Sequence, residues 1–236
     1  MNRSVIVTGG TKGIGAAVVE LFIKMGDRVC AVYGSDDEAA NELRERLATD
    51  SLITRRADVS DYMAVQAVYN EVYKSFGGLD ISVHAAGVEL SNMLVLTTVE
   101  QWNRVISVNL TGAFNCSRCA LKKMILKKHG RIINISSVAA DMPNVGQSAY
   151  AASKAGVNAL TKTLARETAS FGIMVNAVAP GFIKTELAAP YEDKYKEHIP
   201  LGRFGTPDEA AAVVGFLASE EAAYITGSIY DVSGGL

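Results

Sequence analysis

The chain predicts an α/β fold, a doubly wound, seven-stranded parallel sheet with helices on both faces, in a single domain over 1–236. Three observations predict it. Short β-branched runs alternate with helical stretches from one end to the other, the order that a parallel sheet with crossover helices requires. Most of those runs are apolar at nearly every position, as strands buried on both faces must be. The first run passes straight into a glycine-rich turn.

The first strand is "SVIVT" at 4–8, followed by "TGGTKGIG" and a helix over 13–25. "RVCAVY" at 28–33 is the second strand. Asp36 and Asp37 then read as capping acids for a helix over 37–49. "LITRRAD" at 52–58 and a helix over 61–76 come next, then "LDISVHA" at 79–85 and one long helix over 100–128. "GRIINIS" at 130–136, a helix over 150–171 and "IMVNAVA" at 173–179 follow. A helix over 207–218 and "SIYDVS" at 228–233 complete the set. No linker, repeat or charge block divides the chain.

Composition narrows the function. With 23 basic and 25 acidic residues the net charge is -2, which gives no reason to expect nucleic acid or an anionic membrane as partner. The basic cluster Lys122, Lys123, Lys127, Lys128 and Arg131 reads as a solvated helix end. No stretch approaches 18 uninterrupted apolar residues, and the apolar run in "MNRSVIVTGG" is too short for a signal peptide, so a cytoplasmic protein is expected. The three cysteines, at 30, 116 and 119, read as reduced thiols. Cys116 and Cys119 form a CxxC, but no second pair or close histidines supply a metal site, and packing is expected instead; no metal is predicted.

The turn after the first strand spaces Gly9, Gly13 and Gly15 so that the backbone can approach a pyrophosphate lying on the next helix's N-terminal amides. In such sheets ligands bind at the carboxyl ends of the strands. The second strand ends at Tyr33 without an acid. With Asp36 and Asp37 read as caps, Lys12 and Ser35 are left to meet a 2′-phosphate, which favours NADP(H) and leaves NAD(H) open. "SAYAASKAG" at 148–156 puts Tyr150 and Lys154 four residues apart, on one face of a helix. A nearby ammonium would lower the phenol's pKa and fit it for proton transfer.

"TGGTKGIG", Asp58, "HAAG" at 84–87, "SVNLTGAF" at 107–114, "NISS" at 134–137, "YAASK" at 150–154 and "VAPGFIKT" at 178–185 together resemble the short-chain dehydrogenase/reductases, with their Rossmann fold. "GRIINISSV" and the C-terminal "GRFGTPDEAAAVVGFLASEEAAYITGSIYDVSGG" look most like the 3-oxoacyl-[acyl-carrier-protein] reductases within that family. The resemblance implies a catalytic tetrad of Asn109, Ser137, Tyr150 and Lys154. Ser137 would hold the substrate carbonyl oxygen and Tyr150 would protonate it. Lys154 would tune the tyrosine and hold the nicotinamide ribose, and Asn109 would position a water. Ser136 competes, but Ser137 has the family's spacing of thirteen before the tyrosine.

The same resemblance implies cofactor contacts from Gly9, Thr11, Lys12, Gly13, Ile14, Gly15 and Ser35 around the phosphates and adenosine. It adds Asp58 and Val59 at the adenine, Ala86 and Gly87 beside a ribose, and Pro180, Gly181, Ile183 and Thr185 at the nicotinamide. It further implies a homotetramer through the helices at 100–128 and 150–171, and a substrate lid at 186–205 carrying Tyr191 and Tyr195.

Two departures stand out: His84 and Ala85 where the family commonly has two asparagines, and Phe171 where many carrier-protein reductases have an arginine. His84 reads as a local hydrogen-bond partner or as a pH-sensitive group. Phe171 weakens carrier-protein docking, although Lys128 remains. The expected activity is NADPH-dependent reduction of a 3-oxoacyl thioester, on acyl carrier protein or CoA, in fatty-acid or polyketide-type synthesis. The alternatives are a dehydrogenase of a small alcohol, sugar or hydroxyacid, and a non-catalytic dinucleotide-sensing module.

Overall fold

The computed structural model describes residues 2–185, 188 and 195–236. Seven parallel strands form one sheet in the order β3-β2-β1-β4-β5-β6-β7: β1 Ser4–Thr8, β2 Arg28–Tyr33, β3 Leu52–Arg56, β4 Ile81–His84, β5 Gly130–Ile135, β6 Ile173–Pro180 and β7 Ile229–Val232. Strand order reverses between β1 and β4, which pair with Thr8 opposite His84 at their carboxyl ends. That reversal opens the crevice where a doubly wound sheet holds its ligand.

The helices are α1 Gly13–Lys24, α2 Asp37–Leu47, α3 Tyr62–Phe76, α4 Val99–Ile106, α5 Gly112–Lys127, α6 Ser148–Thr168 and α7 Pro207–Leu217. Side-chain caps start four of them: Asp36 accepts from Ala39 N, Asp61 from Met63 N and Ala64 N, Thr98 from Gln101 N and Thr206 from Glu209 N. Each satisfies backbone donors that have no partner within the helix. Of the two acids read as caps, Asp36 caps; Asp37 is instead the first residue of α2, its carboxylate accepting from Tyr33 Oη.

Both faces of the sheet are covered. Val5, Val7, Val29 and Ala31 pack with Val18, Val19 and Phe22 of α1 and Val214 and Leu217 of α7. On the other face Ile6, Cys30, Ile132 and Val175 pack with Val68, Tyr69 and Val72 of α3 and Cys116, Cys119 and Met124 of α5. Phe22 is wholly buried, and its truncation to alanine would cost about 3–5 kcal/mol.

Three expectations are corrected. The strands expected over 52–58 and 79–85 are shorter, Leu52–Arg56 and Ile81–His84; Ala57 and Ala85 each make one last bond to the sheet, to Tyr33 O and Thr8 O, and the pairing ends there. The single helix expected over 100–128 is α4 and α5 joined by a π-helical turn, Ser107–Thr111. Arg131 is not part of a solvated helix end; it is 4 % exposed and faces Glu220 at 3.5 Å. Lys122 and Lys123 of that cluster donate to Tyr62 Oη and Asn70 Oδ1 on α3.

Candidate active site

The chain leaves β1 through a turn that only glycine permits. Gly9 has φ 65°, and a Cβ there would lie 2.7 Å from Ala86 N in the loop after β4. At Gly15 a Cβ would lie 2.0 Å from the Gly9 carbonyl oxygen. The turn thus folds onto itself and brings α1 up against the crevice. Unlike the four capped helices, α1 starts on Lys12 with no side-chain cap and no acid in its first turn. Its leading amides are available to an anion, the donor set that a pyrophosphate requires, so the residues present fit a dinucleotide. Ile14 packs on the core beneath, and Gly13 lies 3.2 Å, measured from a built Cβ, from Thr185 Cγ2 across the crevice.

At the outer end of the crevice, Lys12 pairs with Asp36 at 2.5 Å, and Ser35 is exposed beside them. Sequence reasoning missed Arg56, which ends β3 opposite Tyr33, donates from Nε to the Gly34 carbonyl at 3.1 Å and faces Asp37 at 3.3 Å. Its place on an edge strand gave no motif to read. Asp58 accepts from Ser60 N and Oγ and from Arg104 Nη1. Burial opposes its charge, but those hydrogen bonds prevail and hold its carboxyl below the usual range. Val59 is buried against Gly112 at the end of the π turn. On the far side, Pro180 ends β6, Gly181 N donates to Val232 O, and Ile183 is buried beside Gly205.

The π turn places Asn109. A π segment widens the helix by one residue and often occurs where a side chain must be re-aimed. Here the Asn109 Oδ1 accepts from Val88 N at 2.8 Å, while Nδ2 donates to Val88 O and to Ser153 Oγ, both at 3.0 Å. Ser153 Oγ in turn donates to Tyr150 O at 2.6 Å. One carboxamide therefore ties the loop after β4 to α6. Gly156 lets α6 approach the same turn, since a Cβ there would meet Leu110 Cδ2 at 2.8 Å. The small residues around Tyr150 and Lys154 thus serve helix-to-helix approach as well as packing on the sheet.

Ser137, Tyr150 and Lys154 meet at the mouth of this crevice. The Lys154 Nζ donates to Ile135 O at 2.8 Å and lies 5.6 Å from the centre of the Tyr150 ring. Gly87 lies against it, a built Cβ there sitting 3.6 Å from that nitrogen, in ordinary contact. Burial pushes the Tyr150 phenol up to about 12, with the Ser137 hydroxyl pulling it down through a hydrogen bond and Glu89 pushing it further up. Burial also brings Lys154 down to about 8, against the opposing pull of Glu89. The expectation of a depressed phenol is corrected: burial dominates both residues among the protein's own groups, and Lys154, 5.6 Å from the ring centre with one N–H on the Ile135 carbonyl, does not outweigh it. Ser136 points elsewhere, donating to Lys154 O at 3.3 Å.

Beneath the site runs a buried polar chain that begins at His84. Its Nδ1 lies 2.8 Å from Asn134 Oδ1 and its Nε2 2.9 Å from Ser82 Oγ. Asn134 can only accept there, so Nδ1 carries the proton and Nε2 accepts from Ser82. Ser82 Oγ meets Tyr69 Oη at 2.7 Å, and Asn134 Nδ2 donates to Thr161 Oγ1 on α6 at 2.8 Å. Burial drives the imidazole down to about 4, despite the Asn134 bond. His84 is the local hydrogen-bond partner expected. A small cavity of about 10 Å³ lies beside it, lined by Thr8, Ala86, Asn109 and Ile135 among others.

The segment 186–205 is described only in part, and Tyr191 lies outside the described residues. Tyr195 stacks on Phe182 at 5.0 Å between ring centres, and Phe182 on Phe204 at 5.2 Å. Cys30, Cys116 and Cys119 are free and buried, and burial pushes Cys116 up to about 12. Among the described residues, no group of three or more His, Cys, Asp or Glu could hold a metal ion. No helix there is long and apolar enough to cross a membrane.

The model of a family described as enoyl-(acyl carrier protein) reductase matches residues 9–236. The chain is 41% identical over 238 residues to the 3-oxoacyl-[acyl-carrier-protein] reductase FabG of Aquifex aeolicus, covering 98% of this chain and 96% of that one. It is 41% identical over 242 residues to the protein of the same name from Staphylococcus aureus strain Mu50, covering 100% and 98%. Against that of Vibrio cholerae it is 40% identical over 235 residues, covering 98% and 96%. A solved structure, that of gox2181, matches with a TM-score of 0.95 and 36% identity over 99% of this chain and 95% of that one.

Proposed function

From a chain that belongs to the short-chain dehydrogenase/reductase family, an oxidoreductase family that uses nicotinamide dinucleotides, we infer a 3-oxoacyl-[acyl-carrier-protein] reductase of the cytoplasm. It reduces the keto group of a 3-oxoacyl thioester on acyl carrier protein or CoA, in fatty-acid or polyketide-type synthesis. One observation carries the chemistry: Ser137, Tyr150 and Lys154 converge at the crevice mouth, with a phenol raised to about 12. At neutral pH such a phenol keeps its proton until a stronger base appears beside it, and an oxygen gaining negative charge is that base.

The Ser137 hydroxyl donates a hydrogen bond to the substrate's keto oxygen and fixes it within reach of Tyr150. A nicotinamide bound in the crevice would supply the hydride. As charge builds on the keto oxygen, Tyr150 Oη releases its proton to it, and the oxygen becomes the hydroxyl of the product. Lys154, still mostly cationic at neutral pH with a pKa of about 8, offsets the phenolate left behind. Asn109 keeps Val88 and Ser153 in place, which holds the crevice wall in register with the helix that carries the proton donor.

The turn at Gly9, Thr11, Gly13 and Gly15 and the uncapped start of α1 would hold the pyrophosphate. Asp58, Val59, Ala86 and Gly87 would line the adenosine, and Pro180, Gly181, Ile183 and Thr185 the nicotinamide. NADPH is the preferred form, because Lys12 and Arg56 flank the exposed Ser35 and the second strand presents no acid at its end. The whole of 1–236 is one dinucleotide-binding domain with its lid at 186–205. Exposed Val99, Trp102 and Phe114 on α4 and α5 support assembly into a homotetramer.

Steady-state oxidation of NADPH and of NADH tests this reading, using the acetoacetyl thioester of CoA beside a panel of sugars, small ketones and free 3-oxo acids. The thioester with NADPH is expected to give the highest kcat/KM. Preferential turnover of a sugar or small ketone would overturn the substrate assignment.

A further inference from the structure

Glu89 belongs to none of these groups, yet it borders three of them. It follows Val88, whose N–H and carbonyl are both held by Asn109. Two residues earlier, Gly87 faces the Lys154 ammonium. The Glu89 Oε1 accepts from Gln147 Nε2 at 2.7 Å and from Ser91 Oγ at 2.9 Å. Gln147 immediately precedes α6, three residues before Tyr150, and its own Oε1 accepts from Asn144 N at 2.9 Å. A second tie runs alongside, from Asn92 N to Gly146 O at 2.9 Å. The carboxylate is exposed at the mouth but fixed in direction by these partners.

We propose that Glu89 is a positioning and specificity residue: it fixes the start of α6 through Gln147 and sets a negative charge at the mouth that disfavours substrates carrying a carboxylate beside the keto group. This rests on the reductase reading above. A free 3-oxo acid bears its anionic carboxylate one methylene from the carbon to be reduced, whereas a thioester is neutral at that place. A fixed anion at the crevice mouth, whose charge is felt by Tyr150 and Lys154, separates the two by charge alone. The same charge reaches α6, where it pushes Tyr150 up and holds Lys154 up; the other influences are burial on both and the Ser137 hydroxyl on Tyr150. Without it both groups titrate lower, so the alkaline limb of the reduction moves to lower pH.

The test compares wild type, Glu89→Gln and Gln147→Ala, using the neutral S-acetoacetyl-N-acetylcysteamine and free acetoacetate as substrates from pH 6 to 10. Glu89→Gln keeps a hydrogen-bonding amide but removes the charge. It is expected to raise the kcat/KM ratio of free acid to thioester by roughly threefold to tenfold, as loss of one solvent-screened unit charge at the crevice mouth would. Its alkaline limb should fall to lower pH. Gln147→Ala keeps the charge and should lower kcat on both substrates alike, with the ratio unchanged. An unchanged ratio and limb in Glu89→Gln, or equal changes of ratio in both variants, would overturn the proposal while leaving the reductase standing. A wild type that reduces neither substrate would instead remove the reductase reading and this inference with it.

Discussion

Between pH 7.5 and pH 5, before the carboxylates titrate, acid should weaken this fold through His84. The imidazole is 5 % exposed and neutral, with its two nitrogens already committed, one to Asn134 and one to Ser82. Burial lowers its pKa from 6.5 to about 4. Between those values the unfolded chain binds a proton that the folded chain refuses, so stability is complete above pH 6.5 and is lost as the pH falls toward 4. The full shift is worth roughly 3 kcal/mol at 1.36 kcal/mol per unit. By pH 5 about 2 kcal/mol of it is gone. Protonation would also turn Nε2 into a donor aimed at Ser82, forcing that hydroxyl and Tyr69 to reverse their bonds. Urea unfolding followed by circular dichroism at pH 7.5 and pH 5 measures the loss. His84→Asn removes the titrating group while keeping a side chain that can bond, so its loss over the same interval should be smaller by about 2 kcal/mol. Equal losses in the two proteins would show that His84 is not the group whose protonation weakens the fold.

Other consequences are equally direct. Gly15→Ala would drive a Cβ into the Gly9 carbonyl, and NADPH binding followed by fluorescence enhancement should weaken at least tenfold while the far-ultraviolet spectrum is kept. Lys12→Glu places a second acid beside Asp36, and the ratio of kcat/KM for NADPH over NADH should fall by roughly tenfold. Asn109→Ala leaves the Val88 amide and carbonyl without their side-chain partner in a buried corner. Urea titration should show a loss of about 2–4 kcal/mol.

What could be read from the sequence follows from how local each determinant is. The strands at 4–8 and 28–33 match residue for residue, because a run of β-branched residues bounded by turns specifies a buried strand without outside help. The cap at Asp36 was legible for the same reason, its carboxylate reaching an amide only three residues away. The π turn at 107–111 was not legible. Its sequence is helical by propensity, and it widens only because Asn109 must reach Val88 and Ser153, which lie 21 and 44 residues away. The pKa of Tyr150 escaped for a similar reason, since the i to i+4 spacing announces a neighbouring ammonium but says nothing of how deeply both are buried or that Ile135 takes the ammonium's hydrogen bond. Arg56 and Glu89 lie in no motif. Each acquires its place from a neighbour across the fold, Gly34 in one case and Gln147 in the other.

Delivery of the proton from Tyr150 to the keto oxygen is the step on which the reductase reading rests. Its most direct test is NADPH oxidation with the acetoacetyl thioester of CoA by wild type and Tyr150→Phe, with NADPH affinity measured separately by fluorescence. The variant is expected to bind NADPH within about threefold of wild type and to lose turnover by at least roughly a thousandfold, since the ring remains and only the hydroxyl that carries the proton is removed. A Tyr150→Phe enzyme that reduces the thioester within tenfold of the wild-type rate would contradict it.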